Sequence, residues 1–284
     1  MKMTVDARIL FQELYKSLTL PDSREEKEGI LYWLLEHTLR LTRPAVLAGL
    51  PVEIKEHQFD PLVKRINSHE PIQYILEEAE FYGRKFRVTP DVLIPRPETE
   101  ILVQHALDFL PSGVARRVLD IGTGSGCIAI TLSLEAPSAQ VLATDISPAA
   151  LRIAGENATR TCADLEFFRH DILTHSLDFG QLDIVISNPP YVMEKERNAM
   201  ARNVLDFEPA TALFVPDANP LLYYEAIAAR SYPALSPRGV VLVEINEQLG
   251  RETVQCFERS GYQQVRLFKD LGGKDRVVCA QKSL

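Results

Sequence analysis

From Arg117 onward the chain alternates short apolar runs with helical patterns, and that alternation admits few folds. Val118-Leu119-Asp120 reads as a first strand, followed by an apolar helix from Cys127 to Leu134. Val141–Asp145 reads as a second strand, with Pro148 opening a helix to about Ala158. Leu165–Phe168 is a third strand, ending near His170-Asp171-Ile172, and Asp183–Ser187 is a fourth. A helix from Leu221 to Leu235 leads to a fifth strand over Gly239–Ile245. A helix over 249–259 and two strands, near Gln263–Phe268 and Arg276–Ala280, complete the pattern. Such alternation predicts a mostly parallel sheet with helices on both faces. Open α/β sheets place ligands outside the carboxyl ends of their strands, so the residues that close each strand are where chemistry is sought.

The first strand ends on Asp120 and runs into Gly122-Thr123-Gly124-Ser125-Gly126. A dinucleotide fold prefers G-x-G-x-x-G, which lets a helix N-terminus receive a pyrophosphate. Here the spacing is G-x-G-x-G behind a carboxylate, which suits a cationic ligand without phosphate. S-adenosylmethionine, with its α-amino group and sulfonium, is such a ligand. Asp145 closes the second strand 19 residues after Gly126, where a carboxylate can hold both hydroxyls of a ribose. Asp171 and Ile172, after the third strand, would flank an adenine, one by accepting from its NH2 and the other by apolar contact. Any one of these is weak, since strand-end aspartates often cap helices. Their order at successive strand ends is the stronger signal.

The fourth strand stops on Asn188-Pro189-Pro190-Tyr191. The prolines fix φ and lack N–H groups, so pairing ends there, and each pushes its predecessor toward extended backbone. A stiff loop results, with the Asn188 amide and neighbouring carbonyls as fixed acceptors and the Tyr191 ring beside them. That set suits a planar NH2 group. A surface Asn on a proline-ended strand is the plainer reading of Asn-Pro alone; the upstream Gly-rich loop shifts the balance.

Residues 1–70 read as helical. Val5, Ile9, Leu14 and Leu18 share a helical face, and Ser23-Arg-Glu-Glu26 is a capping-box pattern before an apolar helix from Ile30 to Leu41. Pro44 and Gly49 bracket a short helix, and Phe59–Ile66 is another, with Pro61 in its first turn. The region holds no Cys/His cluster or Gly-rich loop, which leaves recognition or support as its role. A hairpin follows, Phe81-Tyr-Gly83 to Phe86-Arg-Val88. Pro97 can open a helix through Phe109, with Glu98 and Glu100 in its first turn. Arg96, between prolines, is an unusually fixed cation whose plainer fate is a salt bridge. The long connection 192–220, rich in charge and proline, is a candidate lid.

Composition narrows the classes. The chain of 284 residues carries a formal net charge of −8, and its first 80 residues hold 10 Lys and Arg against 14 Asp and Glu. A protein whose task is gripping nucleic acid is more often basic. The four cysteines, Cys127, Cys162, Cys256 and Cys279, form no CxxC pair and read as reduced thiols of a cytoplasmic protein. No metal site is expected. No apolar run approaches the ~20 residues of a membrane span.

These stretches resemble the bacterial release-factor glutamine N5-methyltransferases of the PrmC (HemK) family. The shared segments are Phe81-Tyr-Gly83 with Phe86, Leu93-Ile-Pro-Arg-Pro-Glu-Thr-Glu100, Leu119 to Ile130, Asn188-Pro-Pro-Tyr191, Phe207-Glu-Pro209 with Ala212-Leu213, and Asp270-Leu-Gly-Gly-Lys-Asp-Arg276. The likeness runs from about residue 70 to the C-terminus. Three positions depart from it. Asn219-Pro220 and Asn246 stand where glycine is usual, and Ile172 stands where some relatives carry an aromatic. The resemblance implies a seven-stranded class I methyltransferase (Rossmann-like) domain over 93–284, a β-hairpin linker over 76–92, and an all-α recognition domain over 1–75. It implies S-adenosylmethionine as cofactor, bound by Asp120, Gly122 to Gly126, Asp145, Asp171, Ile172 and Asn188. It implies class I peptide-chain release factors as substrates of a cytoplasmic monomer, without nucleic acid or membrane partners. Asn188, Pro189 and Tyr191 are the catalytic candidates, and Pro190 and Arg96 join them as substrate-binding candidates. Asn188 and the Pro189 carbonyl would accept both N–H bonds of the substrate amide, and Tyr191 would pack beside it. Two rivals remain. One is an adenine- or cytosine-N methyltransferase acting on a flipped base. The other is a cofactor-binding protein without catalysis.

Overall fold

The computed structural model describes residues 2–284. The chain divides into two compact units, one reaching Glu77 and including Ala201–Phe207, the other formed by Glu78–Met200 and Glu208–Leu284.

The first unit contains β1 (Lys2–Asp6), α1 (Ala7–Ser17), α2 (Arg24–Leu39), α3 (Arg43–Ala48), β2 (Pro51–Lys55), α4 (Asp60–Asn67) and α5 (Ile72–Leu76). The Ser23–Glu26 capping box closes as expected, each side chain reaching the other's backbone N–H. Leu31, Leu34 and Leu35 of α2 have no solvent exposure and pack with Leu10, Leu14 and Ile66. The strands are a difference from the sequence reading. Val5 does not continue the face of α1; it pairs with Val52 in an antiparallel ribbon. Both ribbon strands alternate exposed and half-buried residues, a period of two that a helical template absorbs when only every third or fourth residue is counted. Asp6 ends β1 and caps α1, accepting from the backbone N–H of Arg8 and Ile9 at 2.8 and 3.1 Å.

The second unit opens with the hairpin β3 (Ala79–Phe81) and β4 (Arg84–Phe86), turning at Tyr82-Gly83. The next helix, α6 (Thr99–Leu107), starts two residues later than Pro97 predicts. Arg96 to Glu98 form a turn of their own first, with Thr99 N bonded to Arg96 O at 3.1 Å. Glu100 spends its carboxylate on the Tyr82 N–H at 2.8 Å.

β5 (Arg117–Ile121), α7 (Cys127–Glu135), β6 (Gln140–Asp145), α8 (Pro148–Thr161), β7 (Glu166–Arg169) and β8 (Leu182–Ser187) follow in order. The connection after β8 is not structureless. It holds β9 (Val192–Met193), a 3-10 turn over Glu194–Ala199, α9 (Arg202–Phe207), α10 (Ala210–Leu213) and β10 (Phe214–Val215), with β9 and β10 paired in parallel. Then come α11 (Leu222–Ala234), β11 (Leu235–Glu244), α12 (Gly250–Arg259), β12 (Gln263–Lys269) and β13 (Asp275–Gln281).

Seven strands form one sheet in the order β12-β13-β11-β8-β5-β6-β7. Only β13 runs against its neighbours, pairing antiparallel with both β11 and β12. Strands buried on both faces read as continuous apolar runs, and Ile184-Val185-Ile186 shows why. Ile184 and Ile186 face α6 and α7, while Val185 faces Tyr224 and Ile227 of α11 and Phe257 of α12. The strand order reverses between β5 and β8. Crevices open at such a reversal, at the carboxyl ends of the strands.

Candidate active site

A cavity of about 380 Å³ lies at that reversal, within the ~300–1,000 Å³ of small-molecule sites. Its walls come from the ends of β5, β6, β7 and β8, the Val92–Thr99 stretch, and Pro209 to Ala212.

The Gly-rich loop forms one side. Gly122 N and Thr123 N both donate to Thr144 O, at 2.8 and 2.9 Å, tying the loop to β6. The buried Asn157 of α8 donates to Ser125 O and Arg87 O, both at 2.9 Å, and clamps the loop's far end. Gly122, Thr123, Gly124 and Ser125 line the cavity. A Cβ at Gly124, where φ is +55°, would meet no protein atom within 4 Å, so it would project into open space. Gly126 is different. It does not line the cavity, and a Cβ there would come within 2.9 Å of Ile130 Cδ1 and 3.1 Å of Ala154 Cβ. It lets α7 and α8 meet.

The strand-end carboxylates sort by depth. Asp145 lines the cavity, with its oxygens accepting from Gly124 N and Ser147 N, both at 2.9 Å. Burial raises its pKa against those hydrogen bonds. Asp120 is withdrawn beneath the loop, fully buried and outside the cavity lining. One oxygen accepts from Thr123 Oγ1 at 2.7 Å and the other has no partner. Burial pushes this carboxyl up to about 7. Asp171 and Ile172 line the cavity as expected. Asp171 also caps its own turn, accepting from Leu173 N at 2.9 Å and Thr174 Oγ1 at 2.8 Å. Burial opposes its charge, but those bonds and two nearby histidines hold it below the usual carboxylate range.

An orphaned acceptor beneath the loop, glycines open to the cavity, and a second carboxylate facing it fit a nucleoside carrying a cationic, phosphate-free tail. Asp145, Asp171, Ile172 and Gly122 to Ser125, the expected ribose, base and tail contacts, line this one cavity.

Asn188, Pro189 and Pro190 line the opposite side. Asn188 Nδ2 donates to Thr99 Oγ1 at 3.1 Å, and Thr99 Oγ1 donates to Glu244 Oε2 at 2.6 Å. Tyr191 was expected beside the substrate. Its ring is not part of the cavity wall, and its hydroxyl turns inward to Glu244 Oε1 at 3.1 Å. Burial first, and then Glu244, keep that phenol protonated. Arg96 does line the cavity, and it also makes the salt bridge that the plainer reading foresaw, to Glu208 at 2.5 Å. Glu208 is almost fully buried, which raises its pKa; Arg96 pulls it back down. Cys127 reaches the cavity, but burial pushes its thiol up to about 12, which leaves no thiolate nucleophile. Among the described residues no cluster of His, Cys, Asp and Glu could hold a metal ion.

Sequence reasoning missed Thr99, Glu208 and Glu244. A signal existed for Glu244. A lone carboxylate closing an apolar strand that is paired on both sides must be buried, and buried carboxylates need partners.

The fold and this cavity define a class I methyltransferase that uses S-adenosylmethionine. Residues 97–213 match the methyltransferase small domain family and 17–76 the PrmC N-terminal domain. A methyltransferase from Pyrococcus furiosus superposes with a TM-score of 0.53 at 18% identity, covering 80% of this chain and 100% of that one. A Thermus thermophilus 16S rRNA N2 G1207 methyltransferase superposes at 0.51 with 20% identity, covering 72% of this chain and 49% of that one. Both likenesses speak to the fold alone. The sequence is 46% identical to the release factor glutamine methyltransferase of Bacteroides thetaiotaomicron, over 80% of this chain and 82% of that protein. It is 36% identical to that of Bacillus subtilis, over 90% and 91%. The chain belongs to the release factor glutamine methyltransferase family.

Proposed function

We propose that this protein transfers a methyl group from S-adenosylmethionine to the N5 amide nitrogen of the glutamine in the Gly-Gly-Gln motif of class I peptide-chain release factors. The observation that carries the reading is Asn188. Its Nδ2 is committed to Thr99, so Oδ1 is the free pole of an amide held at the cavity by two following prolines.

S-adenosylmethionine, when bound, supplies an electrophilic methyl on a sulfonium sulfur. The chain's residues supply position. An amide nitrogen is a weak nucleophile because its lone pair is delocalised into the carbonyl. Asn188 Oδ1 and the Pro189 carbonyl accept the two N–H bonds of the substrate amide and aim the nitrogen at the methyl. As the N–C bond forms and the methyl–sulfur bond breaks, leaving S-adenosylhomocysteine, the nitrogen becomes positive and its protons become better donors, so these acceptors bind the transition state more tightly than the ground state. One proton then passes from the acidic, positively charged nitrogen to water, and no side chain is needed as a strong base. Asp145, Asp171, Ile172 and the loop from Gly122 to Ser125 hold the cofactor. Pro190 and Arg96 border the substrate side. The first unit recognises the release factor away from its glutamine, and the protein acts as a cytoplasmic monomer without binding nucleic acid.

The test offers labelled S-adenosylmethionine with a purified release factor, its Gln-substituted variant, and DNA or RNA side by side. Label on the release factor that vanishes with the Gln variant is the expected result; label on nucleic acid alone would overturn the reading. Asn188→Ala should lower kcat about 100-fold or more, with cofactor affinity retained by calorimetry.

A further inference from the structure

The proposed role of Asn188 requires its amide to present oxygen, not nitrogen, to the substrate, and the groups behind it determine which is presented. Thr99 is the first residue of α6 and is 2% exposed; Glu244 closes β11 and is 1% exposed. Thr99 Oγ1 has one proton. It lies 2.6 Å from Glu244 Oε2 and 3.1 Å from Asn188 Nδ2. A carboxylate only accepts, so the Thr99 proton must go to Glu244. The Thr99 oxygen is left as an acceptor toward Asn188, and only the NH2 side of an amide can fill it. The second Glu244 oxygen is held by the Tyr191 hydroxyl at 3.1 Å, so the carboxylate cannot turn away from Thr99 without losing a bond. Burial raises the Glu244 pKa, and the bonds from Thr99 and Tyr191 and the charge of Arg276, itself held by Asp270 at 3.0 Å, oppose that rise.

We propose that Glu244 and Thr99 are positioning residues that fix the polarity of the Asn188 amide, through one directed chain of hydrogen bonds from a buried carboxylate to the substrate acceptor. This rests on the reading of Asn188 given above. The chain has a direction, and that separates it from ordinary packing. Removing Thr99's hydroxyl frees the amide, which then divides between two orientations. Removing Glu244's acceptor is worse, because the Thr99 proton then turns to Asn188 Oδ1 and presents NH2 to a substrate NH2.

The test measures kcat, KM and cofactor affinity on the full chain for Thr99→Val, Thr99→Ser, Glu244→Met and the double variant. Thr99→Val should lower kcat about twofold to tenfold, and Glu244→Met about tenfold beyond that. Cofactor affinity should stay within about threefold of the parent in each. The double variant should recover to the Thr99→Val level, since no proton remains to turn the amide the wrong way. Thr99→Ser should restore most of what Thr99→Val loses. Should Glu244→Met not fold, the Thr99 pair decides, together with the Asn188 side-chain amide signals in 1H–15N spectra, which should move in Thr99→Val and return in Thr99→Ser. A double variant as poor as the two losses multiplied, or a Thr99→Val enzyme with parental kcat and unmoved amide signals, overturns the proposal. Asn188→Ala distinguishes the levels. If it turns over normally, the reading of Asn188 itself fails; if it is inactive while Thr99→Val and Glu244→Met are normal, only the positioning chain fails.

Discussion

Gly124 and Gly126 share one loop, yet alanine at each should break a different property. At Gly126 the new methyl would sit 2.9 Å from Ile130 Cδ1 and 3.1 and 3.3 Å from Ala154 Cβ and Cα, with φ at +82°. The left-handed backbone costs an L-residue about 1–2 kcal/mol, and crowding a packed contact about 1–3 kcal/mol. Ala154 is backbone-close and cannot swing aside, so the two costs add to roughly 2–5 kcal/mol of lost stability. At Gly124 φ is +55° and no atom lies within 4 Å, so only the backbone cost applies. The methyl there enters the cavity instead. Gly126→Ala should shift the denaturant midpoint of the second unit strongly, with cofactor affinity reduced only as far as the folded fraction falls. Gly124→Ala should lose under ~2 kcal/mol of stability and about tenfold or more in affinity for S-adenosylhomocysteine by calorimetry. Equal stability losses in the two variants would refute the division of the loop into a packing end and a binding end.

Asp120, raised from 3.8 to about 7 by burial, binds a proton more tightly folded than unfolded. Its contribution to stability is therefore present below pH ~4 and lost as pH rises toward 7, by at most on the order of 4 kcal/mol. The stability of Asp120→Asn minus that of the parent, from urea melts at pH 4 to 8, should rise over that window; a constant difference would show that Asp120 does not titrate there. Asp145→Ala removes the acceptor of Gly124 N and Ser147 N together with the proposed ribose ligand, and should weaken cofactor binding about tenfold to 100-fold. Arg96→Ala strands the buried Glu208 with one weak bond from Ile94 N at 3.3 Å. It should cost about 1–3 kcal/mol at pH 8, less at pH 5 where Glu208 can take up a proton, read as thermal melts at the two pH values.

The sheet was legible in the sequence because its strands are buried on both faces. Val118-Leu119 and Ile184-Val185-Ile186 have no polar face to confuse with a helix stripe, and their strands stop before Gly122 and before Asn188-Pro189. The ribbon over Lys2–Asp6 was not legible, because one of its faces is exposed and its apolar residues fall where an adjoining helix also wants them. At the site, the side chains facing the cavity were found from strand-end positions, but orientation was not. Tyr191 follows two prolines and was expected to face the substrate. It turns inward, where Glu244 Oε1 accepts its hydroxyl. That acceptor comes from a strand 53 residues away, and no local pattern carries the information. Asp120 and Gly126 belong to the right motif, yet they lie one layer beneath the surface that the motif builds.

That deeper layer is where the energetic costs lie. Asp120, Glu244 and Glu208 are all carboxylates whose pKa burial raises, and an apolar residue at any of the three would spare the desolvation. Each sits directly behind a group that meets the cavity: Asp120 behind Thr123, Glu244 behind Thr99 and Asn188, Glu208 behind Arg96. A reaction that proceeds by aiming an unreactive amide, with no strong base or metal invoked in the proposed step, depends on acceptors that do not move when the substrate arrives. Prolines at 189 and 190 hold the backbone of that acceptor. Side-chain polarity needs a fixed acceptor behind it, and a buried carboxyl group with both oxygens bonded provides one. On this account stability and turnover oppose each other at Glu244. Replacing it should cost more catalysis than its position outside the cavity lining suggests, and less stability than its full burial suggests.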